Sequence, residues 1–304
     1  MILIVGASGR LGSNVAELLL GQGKAVRAMT RTPLNLAHLK QQGAEVVSGD
    51  LRNSASLLSA CQGVEQVVTA AHALVGKGDN NPRTVDDAGN RQLIDAAKAA
   101  GVKHFVFVSV RGASPDSPLE FFRIKYRTEE YLRASGLSFT ILRPSAFMDL
   151  WIQLVGQPII EQGKTIIFGR GTNPINFVAV EDVARFVGIA LEDARARNRV
   201  IEVGGPENLT LNQLAEFFER TSGRQVKTRH IPLPMMRIMA ILMQPINPAL
   251  SRQIRAGIYM DTADLRYDMT ETASAFGIQL TPLEELANRI TMNADHLETV
   301  SKPG

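Results

Sequence analysis

The sequence predicts an α/β fold built on a doubly wound parallel sheet, followed by a smaller C-terminal α/β domain. Three observations carry this. Apolar strand-like runs alternate with helical patterns through the first half of the 304 residues, the signature of βαβ units with right-handed crossovers. After Arg143-Pro144 that rhythm breaks. Near the start, Ile2-Leu3-Ile4-Val5 runs into Gly6-Ala7-Ser8-Gly9-Arg10-Leu11-Gly12, and a helical pattern follows from Ser13. Strand, glycine-rich turn and helix, in that order, hold a dinucleotide pyrophosphate in Rossmann-like folds. Gly6 allows the tight turn, Gly9 clears the way for backbone N–H groups to reach a phosphate, and Gly12 lets the helix pack on the strand. The helix N-terminus adds unpaired donors and a partial positive charge.

The elements follow in order. Residues 25–29, 44–48, 66–70, 104–109 and 138–142 read as further strands, separated by helices over 34–41, 54–60, 87–100 and 119–135. Asn53 or Ser54 supplies a cap for the second of these helices. Gly101 and Gly136 end the last two. The polar segment 76–86 interrupts the alternation. Beyond residue 144, short strands are expected at 165–168, 175–180 and 200–203, with helices at 183–191 and 210–221, the latter capped by Thr210. Residues 1–144 form the dinucleotide-binding domain, to which 177–206 return. Residues 145–304 form the smaller substrate or partner domain, ending in a polar helix after Pro282.

Composition bounds the function. With 45% hydrophobic residues a large core is available. The net charge of +3 comes without a Lys/Arg stripe interleaved with aromatics, so nucleic acid is not an expected partner. One cysteine, Cys61, rules out an intramolecular disulfide and a cysteine-based metal site, and fits a reducing compartment. Met1 leads directly into a strand, which leaves no room for a leader, and no apolar run approaches the roughly 20 residues of a membrane span. A soluble, cytoplasmic protein is expected, with no metal.

The second strand ends at Met29-Thr30-Arg31. An acidic residue just after this strand would accept from the ribose hydroxyls of NAD. Arg31 instead offers a charged fork suited to the extra phosphate of NADP, with Arg10 as a second donor, so NADP(H) is expected over NAD(H). Ala70, Ala71 and His72 end the fourth strand and lie beside the cofactor. His72 is placed to touch the nicotinamide ribose or the substrate, or to serve as a structural histidine.

The chain resembles atypical short-chain dehydrogenases/reductases of the NmrA-like group. The likeness rests on 6–12, Gly49-Asp50-Leu51, 90–97, 101–106, 138–144 and Glu181-Asp182-Val183-Ala184. It implies that Asp50 accepts from the adenine amino group while Leu51 packs on the ring. Asp50 also suits a turn on its own account. Branches of the group include isoflavone-reductase-like enzymes, nitrogen-regulation sensors and photosystem assembly factors.

Most short-chain dehydrogenases carry Tyr-x-x-x-Lys on the helix after the fifth strand. Here Lys125 is present but position 121 is Phe121, which has no proton to give. Tyr126 points about 100° away around the helix. Ser109 is retained as a cofactor-cleft residue, although Val110 and Arg111 follow it. Phe122-Arg123-Ile124-Lys125 resembles the Phe-x-x-Lys of isoflavone-reductase-like enzymes, which implies Lys125 as the acid/base, or as a clamp on the cofactor ribose. An acid/base lysine requires its pKa to be drawn toward neutrality. Pro144 leads a segment over the nicotinamide. Phe147, Met148 and Trp151 are candidates for a pocket or for core. Residues 234–246, with four methionines, suit a lid, a docking face, a membrane-surface contact or core.

Two functions follow from these residues. One is an NADP(H)-dependent oxidoreductase acting on a small apolar substrate. The other is a catalytically silent NADP(H)-binding redox sensor or assembly factor that docks a protein. A sugar-nucleotide epimerase loses support with the missing tyrosine.

Overall fold

The computed structural model describes residues 1–290. Seven strands form one parallel sheet: β1 (Ile2–Val5), β2 (Val26–Thr30), β3 (Glu45–Ser48), β4 (Gln66–Thr69), β5 (His104–Val108), β6 (Phe139–Pro144) and β10 (Arg199–Val203), in the order β10-β6-β5-β4-β1-β2-β3. The chain reverses direction across the sheet between β1 and β4, which opens a crevice at the strands' carboxyl ends. β1 is buried along its whole length. Its alternate side chains supply two cores, Ile2 and Ile4 on one face, Leu3 and Val5 on the other.

The helices that cover the first face are α1 (Arg10–Gly21), α2 (Ala37–Gln41) and α8 (Val180–Glu192). Those on the second are α3 (Ser54–Cys61), α4 (Asn90–Ala99) and α5 (Glu120–Ala134). The expected strands and helices are present, with ends shifted by up to three residues. Three departures have physical causes. The helix expected from residue 87 begins with a π-helical turn, Arg83–Gly89, which spaces Asp86 inward. The strand expected over 175–180 stops at Val178, because the Asp149 carboxylate accepts from the Val180 N–H and starts α8 there. The helix over 34–41 opens as a 3-10 turn at Pro33–Leu36.

Most of the remaining elements build a second lobe: β7 (Ala146–Phe147), α6 (Met148–Trp151), α7 (Gln157–Gln162), β8 (Lys164–Phe168), β9 (Ile175–Val178), β11 (Glu207–Leu209), α9 (Leu211–Ser222), β12 (Lys227–Ile231), α10 (Leu233–Ile246) and α11 (Pro248–Thr262). α12 (Thr270–Phe276) packs back on the first lobe, Phe276 against Phe186 of α8. Residues 283–290 are helical, and the rest of the expected C-terminal helix lies outside the described residues. β7, β9 and β11 form one small sheet, and β8 pairs with β12 in a two-stranded parallel ribbon. Of the returning segment, β10 and α8 join the first lobe while β9 stays in the second. Thr210 caps α9 reciprocally with Gln213. Pro245 sits in the last turn of α10 without breaking it, and Pro248 opens α11. In the second core, Cys61 is fully buried and burial pushes its thiol up to about 11, so it is a packing residue.

His104, fully buried on β5, pins α8 to the sheet. Its Nε2 faces the Ala190 carbonyl at 3.0 Å and its Nδ1 faces Ser138 Oγ at 3.1 Å, which suits a neutral imidazole. Desolvation, with a contribution from Arg197, holds its pKa below the ordinary 6.5. The unfolded chain therefore binds a proton that the folded chain refuses. Stability is expected to be complete above that ordinary value and to fall as pH drops through it. Urea unfolding between about pH 7.5 and pH 5.5 checks this. The slope should shrink, without vanishing, in His104→Gln, because the His72 pKa is also lowered.

Candidate cofactor cleft

The glycine loop joins β1 to α1 at the crevice. Gly6 adopts φ +86°, and a Cβ there would press on the Ala71 backbone. A Cβ on Gly12 would run into the Gly6 carbonyl oxygen, so close packing of helix on turn enforces glycine at both places. No side chain caps α1 and no acidic residue occupies its first turn. Its leading N–H groups therefore face the crevice with their charge uncompensated, as a pyrophosphate site requires. Ala7 is buried, and Ser8 Oγ accepts from Thr30 Oγ1 at 3.2 Å, tying the loop to the end of β2. Leu11 packs into the core beneath. The loop fits a dinucleotide.

At the adenosine end, Arg31 is exposed and donates to Asn80 Oδ1 at 3.3 Å. Asp50 is turned toward Arg52. Its carboxylate accepts from Arg52 Nε at 3.0 Å and Nη2 at 2.5 Å, and from the Arg52 backbone N–H at 2.9 Å. The Arg52 hydrogen bond holds the Asp50 carboxyl below the usual carboxylate range, with burial opposing it. Here Asp50 acts as a turn residue, and an adenine amino group would have to compete with Arg52. Leu51 is buried against Gly89. Arg52 is a second cation at this end that sequence reasoning passed over.

The end of the cleft expected to take the nicotinamide is organised around Lys125. Its side chain is only 3% exposed, and Nζ lies 2.9 Å from the Asp86 carboxylate in an ion-pair contact outside hydrogen-bond angles. Nζ also donates to the Val108 carbonyl at 3.3 Å and stands over the rings of Phe107 and Phe121 at 4.9 and 5.5 Å. Asp86 is completely buried; its other oxygen accepts from the Ala73 N–H at 2.8 Å. Around it, Thr128 Oγ1 donates to the Asp86 carbonyl, and Asn90, bonded to Thr69, donates to the Val85 and Asp86 carbonyls. Sequence reasoning missed Asp86, which reads as an ordinary charge in a polar segment.

His72 lies beside these groups, its ring 6.4 Å from Phe121. Solvent reaches it, yet desolvation by the surrounding walls, reinforced by the Lys125 charge and opposed by Asp86, lowers its pKa. A row of rings runs on from Phe121 to Phe122 and then to Tyr259 of α11. Tyr259 brings a hydroxyl to the rim beside Gly112.

The other expected site residues have partners of their own in the fold. Ser109 donates to Glu129 at 2.5 Å, and Glu129 is clamped by Arg143, so the serine belongs to a buried network rather than to an open pocket. Phe147 packs on the first core, Met148 lies in the core of the second lobe, and Trp151 packs there against Phe177 at 6.2 Å. Pro144 ends β6 beside Val203. Arg10 reaches across to Gln153 at 3.1 Å, joining the glycine loop to the second lobe. Among the described residues, no group of three or more His, Cys, Asp and Glu side chains could hold a metal ion, and no helix is long and apolar enough to cross a membrane.

Over 240 residues the chain is 31% identical to the photosystem II assembly factor Ycf39 of Cyanophora paradoxa, covering 78% of this chain and 73% of that protein. It is 31% identical over 228 residues to the NAD(P)H azoreductase of Xenophilus azovorans, covering 75% and 76%. To quinone oxidoreductase 2 of Escherichia coli it is 32% identical over 233 residues, covering 76% and 78%. Among solved structures, the NADPH-dependent quinone oxidoreductase QOR2 of Escherichia coli complexed with NADPH matches with a TM-score of 0.79 at 26% identity, covering 96% of this chain and 100% of that one. The Citrobacter sp. triphenylmethane reductase complexed with NADP(H) matches at 0.80 and 21% identity, covering 95% and 99%, a likeness of fold. The NmrA-like family pattern matches residues 1–275, and the chain belongs to that family.

Proposed function

We propose that the protein is an NADP(H)-dependent reductase of a small, mostly apolar acceptor. The observation that carries this is the conjunction, at one sheet edge, of an uncapped glycine-loop helix with a buried lysine at an aromatic-walled cleft. Similarity to a quinone oxidoreductase and an azoreductase supports it. Bound NADPH supplies the hydride. The protein's part is to hold the nicotinamide end and manage one proton. Lys125 as an ammonium carries three N–H donors. The Val108 carbonyl takes one, Asp86 balances the charge, and a remaining donor serves a ribose hydroxyl or the oxygen or nitrogen that gains charge in the acceptor. Phe121, Phe122 and His72 exclude water around it. Arg31 and Arg52 receive the phosphate that distinguishes NADP from NAD. A single buried thiol suits a reducing compartment, and the cytoplasm is the proposed location.

A second reading has its own support. Phe121 removes the usual proton donor, and the chain resembles Ycf39 assembly factors. In this reading NADP(H) is a structural ligand or redox signal and the chain docks a protein partner. Tight NADPH binding without NADPH oxidation by any quinone, azo compound or enone would select it.

Nicotinamide fluorescence titration is expected to give NADPH a Kd about tenfold or more below that of NADH, worth roughly 1.4 kcal/mol. Arg31→Ala should abolish most of the difference. Equal affinities in the unaltered protein would overturn the NADP preference.

For Lys125, NADPH oxidation by a quinone is expected to lose about 100-fold or more in kcat in Lys125→Ala paired with Asp86→Asn, which avoids stranding a buried carboxylate. A rise in NADPH Kd with kcat intact would leave Lys125 as a ribose clamp only.

A further inference from the structure

α10 is apolar around nearly its whole circumference. Met236 and Ala240 are buried and pack on Ile254 of α11, forming the small core of an α10–α11 hairpin. Ser251 Oγ locks it by donating to the Ala240 carbonyl at 2.6 Å. The opposite side carries Met235, Ile238, Ile241, Leu242 and Ile246, each between 43 and 74% exposed. At 100° per residue these five span an arc of about 140° with Pro245 inside it. The polar residues of α10, Arg237 and Gln244, fall together on one seam seven positions apart. A helix that is hydrophobic all round is normally covered on all sides, and this one is covered on one.

The β8–β12 ribbon lies against the hairpin. Ile231 of β12 packs on the hairpin core, and a Cβ on Gly257 of α11 would touch Phe168 of β8. Phe168 and Ile166 are exposed on the same ribbon face as Lys164, and their register partners include Lys227 and Arg229.

Charge identifies the occupant. From Gly223 to Met260 the sequence holds six Lys and Arg and no Asp or Glu. Lys164, Lys227, Arg229, Arg237 and Arg255 are all exposed, and among the described residues none forms an ion pair. Many arginines elsewhere in the chain are paired with carboxylates. A second copy would bring the same cations against themselves in a two-fold contact. An anionic bilayer surface meets both needs: headgroup phosphates for the cations and acyl chains for the isoleucines.

We propose that the outer face of α10 and the adjoining β8–β12 ribbon form a surface that rests on an anionic lipid bilayer, α10 lying in the interface plane. The assignment does not depend on whether the cleft performs chemistry.

The test is flotation of the full chain with vesicles of phosphatidylcholine alone and with vesicles containing phosphatidylglycerol. Flotation with the anionic vesicles is expected, weakening as salt rises. Ile238→Glu with Ile241→Glu should lower the partition coefficient about tenfold or more. Both residues are exposed, so the variant should keep its thermal midpoint and its NADPH binding. Leu34→Glu, at an exposed leucine far along the sequence, should change nothing. No flotation, equal flotation on neutral vesicles, or flotation unaffected by the double substitution overturns the assignment. So does lipid-independent self-association, or capture of an acidic protein, that the double substitution abolishes while vesicles are ignored.

Discussion

The cleft depends on the pairing of Lys125 with Asp86. An ammonium removed from water costs several kcal/mol, and a carboxylate at 2.9 Å offsets that cost only if its remaining lone pairs are satisfied. The neighbouring chain is arranged around this requirement. The π-helical turn spaces Asp86 toward the sheet, and the Ala73 N–H takes its second oxygen. Thr128 and Asn90 then satisfy the carbonyls around that turn, with Thr69 holding Asn90 in place. Single-turn π segments often occur where a helix must re-aim a side chain at a functional site. Here the segment after β4, α4 and α5 meet at one ion pair. Phe121 fits this setting. A tyrosine hydroxyl would need a partner of its own in the dry wall over Nζ, whereas a phenyl ring offers the ammonium its π face and asks for none.

Much of the first lobe was legible in the sequence because its signals are local. Glycine at 6 and 12 is enforced by backbone approach, and strand runs buried on both faces are apolar without interruption. Asp86 and Glu129 were not legible. Asp86 reads as a charge in a polar segment and Glu129 as a charge in a helix, and only the fold reveals that neither meets water. Glu129 did leave a trace. It stands four residues after Lys125, on the stripe of Ile124, Thr128 and Leu132 that α5 turns to the sheet. Two ionisable residues on a buried stripe imply buried partners. Trp151 and Phe147 were open for another reason: a large apolar residue after β6 reads equally well as pocket or core, and both are half-buried residues packed against a core.

The methionine-rich segment was ambiguous for a different reason. Its composition satisfies a buried helix and an exposed amphipathic one equally, and the answer is divided by face: Met236 and Ala240 inward, the isoleucines outward. No periodicity in the sequence distinguishes the two sides, since both are apolar. What separates them is α11, which is long enough to cover one side only.

α11 also links this hairpin to the cleft. Arg252 donates to the carbonyls of Leu74 and Gly76 in the loop after β4, at 3.0 and 2.6 Å, and Tyr259 packs edge-on against Phe122. One helix thus supplies the inner support of the exposed apolar surface and part of the rim of the nicotinamide end. A rim made of Phe121, Phe122 and Tyr259 presents rings and few hydrogen-bonding groups. An apolar wall discriminates weakly between ligands, by about 1–3 kcal/mol per methylene, because no buried polar group is left unpaired by a wrong occupant. Such a rim suits the small apolar acceptor proposed above, and apolar molecules concentrate in a bilayer. The aromatic row and the exposed isoleucines, which look unrelated along the chain, are therefore joined through α11.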